Sequence, residues 1–144
     1  MLSVSAEKLR KGDPIALFFT RRDSQRAARA LLSWLKGKGG RCSKAEMSMF
    51  AFGLEAGRPI KFSRTNFYRG VLRRFLDLGL ISEESLYDSR TGKVTKYYRI
   101  VAQPIKRHRP ISPSFAYVSH LICEDWNREF VAEDDLEQAE EDAL

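Results

Sequence analysis

Apolar residues recur at helical spacing in three separate runs between residues 23 and 81, after which the pattern changes to that of a strand pair. In the first run Ala27, Leu31, Trp34 and Leu35 share a face, with Ala28 and Leu32 beside them. Asp23 or Ser24 is expected to cap it, since a short side-chain oxygen can accept an orphan backbone N–H. Gly37, Gly39 and Gly40 end it. The second run opens on Ser43, Lys44, Ala45 and Glu46, the spacing of a capping box in which Ser43 and Glu46 bond each other's backbone N–H. Met47, Phe50, Ala51 and Leu54 form its stripe, and Gly57, Arg58 and Pro59 stop it. The third run is the best defined. Ser63 or Thr65 caps it, and Phe67, Val71, Phe75 and Leu78 follow at i, i+4, i+8 and i+11, widened by Leu72 and Leu76. Its opposite face carries Arg64, Asn66, Arg69 and Arg73. Gly79 suits a left-handed C-cap, and Leu80 and Ile81 return to the core.

Beyond Ile81, Leu86 and Tyr87 face residues 94–101 across Asp88, Ser89, Arg90, Thr91, Gly92 and Lys93. The second flank is rich in β-branched and aromatic residues and the link has turn chemistry, so a β-hairpin is expected. Alternation is imperfect, because Lys96 shares a face with Val94, Tyr98 and Ile100. The expected organisation is a leader at 1–22, a helical and hairpin domain at 23–103, a basic linker with three prolines at 104–113, a helix at 114–131 and an acidic, frayed or disordered tail at 132–144. Within the leader, residues 15–19 read as a short strand or as a segment packed on the core. In the last helix Phe115, Val118, Leu121, Ile122, Trp126 and Phe130 make a broad apolar face.

A chain of 144 residues suits one domain with extensions, and its 43% hydrophobic and 11% aromatic content can build a core. The charge changes the picture. From Glu124 onward ten acidic residues stand against Arg128 alone, which leaves 24 Lys and Arg against 9 Asp and Glu in residues 1–123. A body that basic attracts polyanions. No apolar stretch approaches the ~20 residues needed to span a bilayer. Cys42 and Cys123 make no disulfide framework, so a reducing cytoplasm is expected, with nucleoid association in a bacterium.

The run Phe67-Tyr68-Arg69-Gly70-Val71-Leu72-Arg73-Arg74-Phe75-Leu76-Asp77-Leu78-Gly79-Leu80-Ile81, followed by a hairpin, resembles the recognition helix and wing of the winged helix-turn-helix superfamily. The resemblance covers about residues 23–101. It implies an α+β fold of three helices and a β-hairpin wing, here with an additional C-terminal helix and acidic tail. The link from 57 to 62 is longer than the tight turn usual there. The resemblance further implies that the third helix enters the major groove and that the wing touches backbone or minor groove. Carried over, Arg64, Thr65, Asn66, Tyr68 and Arg69 are placed to reach base edges, where Arg can grip guanine and Asn adenine in bidentate fashion. Arg73 and Arg74 would meet phosphates. Arg90, Lys93 and Lys96 would decorate the wing, and Lys44, Arg58 and Lys61 would surround the ends of the second helix. Tyr68 reads equally as a peripheral core residue, and the wing cations as an ordinary polar turn. Lys106, Arg107 and Arg109 read as a soluble linker or as a minor-groove arm.

The expected partner is double-stranded DNA, bound with sequence specificity by a transcriptional regulator or by a replication or mobile-element accessory factor. Two other classes remain, a protein-interaction subunit of a nucleoprotein complex and an RNA-binding protein. The last helix would pack within the chain or pair with its copy in a homodimer suited to a palindromic site. The acidic tail reads as a solubilising end, a cover for the basic surface or a contact for another protein. No enzyme, metal or cofactor is expected. Cys123 and His120 lie i, i+3 without the close ligand pairs of a zinc site, and Gly37, Lys38, Gly39 and Gly40 lack the spacing of a phosphate-cradling loop.

Overall fold

The computed structural model describes residues 14–58, 60–103 and 115–142. The chain is α+β. Helix α1 spans Pro14–Phe18, α2 Arg22–Gly37, and strand β1 Arg41–Ser43, which leads into α3 at Lys44–Glu55. Helix α4 is continuous through three segments: α-helical Arg64–Asn66, a π-helical Phe67–Leu72 and α-helical Arg73–Asp77. Strands β2, Ile81–Asp88, and β3, Lys93–Ile100, form the hairpin, and α5, Phe115–Phe130, and α6, Glu133–Asp142, complete the chain. The succession of helices ahead of a hairpin is compatible with a winged-helix-like arrangement.

Within the leader, Pro14–Phe18 is helical, not extended. Proline at its first position suits a helix start, where its missing N–H is no loss. Ile15 and Phe19 are buried, and Phe19 meets Phe75 edge-on at 5.1 Å. The cap of α2 lies two or three residues earlier than expected. Arg21 holds the cap position without a side-chain bond. Gln25 fixes the entry instead, with Nε2 donating to the Phe19 carbonyl at 2.7 Å. The capping box of α3 forms as expected, with both Ser43–Glu46 bonds in place. Ser63 caps α4 by accepting the Asn66 N–H at 3.1 Å.

The sheet has strand order β1-β3-β2, antiparallel throughout. Strand β1 is absent from the sequence reading because three residues carry no periodic signal. Gly39 and Gly40, at φ 80° and 84°, turn the chain from α2 into it. The hairpin is longer than expected, pairing Ile81 with Ile100 at its root and Asp88 with Lys93 at its tip. The inward face explains the imperfect alternation. Ile81, Tyr98 and Ile100 are buried, whereas Lys96, Tyr87 and Val94 on the same face lie beyond the core and are exposed. The hairpin therefore projects from the body.

One buried cluster joins α1 through α5, including Ile15, Leu31, Leu54, Phe67, Phe75, Ile100 and Trp126. In α5, Trp126 is fully buried against Phe75 and Phe130, and its Nε1 donates to the Val101 carbonyl at 2.9 Å. The apolar face expected to offer a dimer contact thus faces this chain's own core at Trp126 and Phe130. Phe115, Val118 and Leu121 lie outside the residues whose side chains are described, as do all of Lys106, Arg107 and Arg109. Much of the acidic end expected to be disordered is helix α6. Glu133, Asp134 and Asp135 complement the positive end of the helix, and Leu136 packs on the core. Those two effects stabilise a segment whose composition reads as a tail.

Candidate nucleic-acid interface

Helix α4 separates two chemistries. Phe67, Val71 and Phe75 are fully buried, while Arg64, Thr65, Asn66, Arg69 and Arg73 are exposed on the other side. The expected apolar stripe shifts at its end. Leu78 is 45% exposed, and Leu72 and Leu80 are buried. A π segment carries more residues per turn than an α-helix, so spacings of four remain on one side through Phe67, Val71 and Phe75.

The exposed cations differ in how far each is committed. Arg64 Nε lies 2.6 Å from Glu55 Oε2, and its guanidinium sits over the Phe52 ring at 5.8 Å. Arg73 pairs with Asp77 one turn on at 3.4 Å, with both groups largely in solvent, so the pair is weak. Arg69 has no ion pair among the described residues. Arg74 has a second tie within the chain. Its Nη1 donates to the Phe18 carbonyl at 2.6 Å and its guanidinium lies over Phe19, so it ties α1 to α4 while remaining exposed. Tyr68 is 36% exposed and leans edge-on against Phe67. Burial raises the Tyr98 hydroxyl above its ordinary range, with Glu83 and Tyr68 adding to the effect.

At the hairpin tip Asp88 organises the turn. Its Oδ1 accepts the Arg90 N–H at 2.9 Å and its carbonyl accepts the Gly92 N–H at 2.8 Å, with Gly92 at φ 68°. Arg90 and Lys93 are exposed there without ion pairs among the described residues. Lys96 is different, because Glu83 lies 3.5 Å from its Nζ and reduces its field.

Lys44 is the exposed first residue of α3. The longer link after α3 is ordered by two backbone bonds, Arg58 N–H to the Gly53 carbonyl and Phe62 N–H to the Leu54 carbonyl. Lys61 and Asn66 border an open depression that also contains Asp23, Glu55, Phe62 and Ser63. The structure therefore gathers Arg64, Asn66 and Lys61 near one end of α4, and Arg90 and Lys93 at the hairpin tip. Sequence reasoning missed the carboxylates Glu55, Asp77 and Glu83 that temper three of the proposed contacts, Arg64, Arg73 and Lys96. Asp77 and Arg73 stand i, i+4, a spacing that was legible. The other two pairings depend on tertiary structure.

Cys42 is buried, and burial, helped by the Glu46 carboxylate and opposed by Lys38, pushes its thiol up to about 11. Among the described residues, no three His, Cys, Asp or Glu side chains gather as metal ligands, and no helix is long and apolar enough to cross a membrane. No family model matches the chain, and neither a curated protein nor a solved structure is significantly similar to it.

Proposed function

We propose that this chain is a non-catalytic, cytoplasmic protein that binds double-stranded DNA with sequence specificity. It acts as a transcriptional regulator or as a replication or mobile-element accessory factor. Helix α4 reads the major groove and the β2–β3 hairpin serves as a wing on the backbone. The supporting observation is the two-sided α4. Thr65, Asn66 and Arg69, which has no ion pair among the described residues, stand in solvent above a fully buried Phe67, Val71 and Phe75, so the polar face is held by a rigid apolar support. Arg90 and Lys93 supply phosphate contacts from the hairpin, and Lys44, Arg58 and Lys61 supply others from the ends of α3.

Selection from random duplexes at two salt concentrations tests the reading. A specific binder enriches one motif at both, with an affinity that falls steeply as counterion release weakens. Enrichment of no motif, with weak binding that vanishes at the higher salt, would leave only a basic surface. An alternative is a protein-interaction subunit of a nucleoprotein complex. It draws on the uncharged outer face of α3.

A further inference from the structure

Helix α3 carries an exposed apolar stripe that its neighbour α2 does not. Its inner face buries Met47, Ala51 and Leu54. Directly opposite, Ala45, Met49, Phe52 and Ala56 are all exposed, Met49 at 76% and Phe52 at 61%. From Met47 to Leu54 the helix has no charged residue. By contrast, α2 turns Arg22, Arg26, Arg29 and Lys36 outward. An exposed apolar stripe on a helix of this kind marks a contact surface, not a solvent boundary.

The spacing of the exposed residues is informative. Ala45, Met49, Phe52 and Ala56 follow steps of four, three and four, the seam of a helix pair. The seam is also symmetric about its centre, small–large–large–small. We propose that α3 packs antiparallel against α3 of a second copy of this chain. A two-fold axis through the seam then sets Met49 against Phe52 of the copy and Ala45 against Ala56. The paired alanines let the helix ends approach closely while Met49 and Phe52 fill the middle.

Charge chooses the direction. Lys44 and Glu55 flank the same edge of the seam at opposite ends of α3. Antiparallel packing brings Lys44 near Glu55 of the copy, where Glu55 already binds Arg64 of its own chain. Parallel packing would oppose Lys44 to Lys44 and Glu55 to Glu55. A pair of short helices covers less than the ~1,200–2,000 Å² of a standard interface, so the dimer dissociates on dilution.

Sedimentation equilibrium of the full chain without nucleic acid tests the proposal, and its outcome is independent of DNA binding. The average mass should rise from 16.6 kDa toward twice that value across the micromolar range. Phe52→Glu should hold the chain monomeric while its thermal melt stays cooperative, because Phe52 is outside the core. Mixing Met49→Cys with Phe52→Cys chains under oxidation should link the two kinds of chain, whereas Ala45→Cys alone should not link to itself. A chain monomeric at every concentration would overturn the proposal, since the stripe would then be covered by another protein or by this chain's own residues. Association unchanged in Phe52→Glu, or efficient linkage through Ala45→Cys, would overturn it equally.

Discussion

Asn127 holds both backbone groups of Gln103. Its Oδ1 accepts the Gln103 N–H at 2.6 Å and its Nδ2 donates to the Gln103 carbonyl at 2.8 Å. Asn127 is 3% exposed, so water does not compete easily for either bond. Together with Trp126 and Val101, this contact latches α5 to the chain leaving β3. The latch joins the C-terminal helix to the strand that carries the hairpin.

Asn127→Ala should therefore destabilise the protein by about 2–3 kcal/mol, because two backbone groups lose a partner in a protected site. Urea unfolding measures it through the midpoint at unchanged slope. A loss below ~0.5 kcal/mol would mean that solvent replaces both bonds, and the latch would then be incidental.

If α4 reads bases, Arg69→Ala and Asn66→Ala should each weaken binding to the selected site by about 1–3 kcal/mol and relax its sequence preference. Lys93→Ala should weaken binding to all duplexes alike and lower the salt slope by about one. Competition titrations against matched and mismatched duplexes separate the two behaviours. Unaltered discrimination in both α4 variants would remove that face from base recognition.

Glu55 competes with DNA for Arg64 under this reading. Their pair at 2.6 Å leaves both side chains about half exposed, so it is strong enough to orient Arg64 but not to sequester it. Glu55→Gln should raise DNA affinity several-fold at low salt, and the gain should shrink as salt screens the surface. Weaker binding in that variant would instead make the Glu55–Arg64 pair an organiser of the α4 entrance.

The elements with strong local signals were legible in the sequence. The Ser43–Glu46 box, the Phe67, Val71 and Phe75 stripe and the Gly79 stop all follow from contacts within a few residues. What escaped depends on distance along the chain. Strand β1 exists because Arg41, Cys42 and Ser43 find Arg99, Tyr98 and Tyr97, more than fifty residues later. The role of Arg74 depends on Phe18, and the order of α6 on the anchoring of Leu136. The candidate interface was legible as a set of exposed side chains on α4, but not in its charge. Glu55 and Glu83 are brought to Arg64 and Lys96 only by the fold.

Acid should expose the capping box of α3. The Lys38 ammonium and the Ser43 N–H and hydroxyl hold the Glu46 carboxyl near 2, well below its ordinary 4.5. A carboxyl depressed by folding stabilises the fold above its unfolded value, and that contribution is lost as pH falls from about 4.5 toward 2. Glu46→Gln should thus be less stable than the parent at neutral pH, and the two should converge toward pH 2. Thermal melts across this range measure the difference. A gap that stays constant with pH would show that the carboxylate charge contributes nothing.

Base should act on the opposite side of the same turn. Folding raises the Cys42 thiol from 9.0 to about 11, chiefly by burial and secondarily through Glu46, against a smaller opposing effect of Lys38. A group raised in this way contributes its full stability below pH 9, and the contribution is lost as pH climbs through 11, because the unfolded chain ionises first. The loss should be on the order of 2 kcal/mol. Tyr98, whose hydroxyl is also raised, adds in the same direction. Cys42→Ala should lower stability at neutral pH through the volume it removes, yet fall less steeply between pH 9 and 11. Iodoacetamide at pH 8 should spare Cys42 in the folded chain and modify it once urea unfolds the protein. Rapid native alkylation of Cys42 would show an open β1, and the alkaline argument would fail with it.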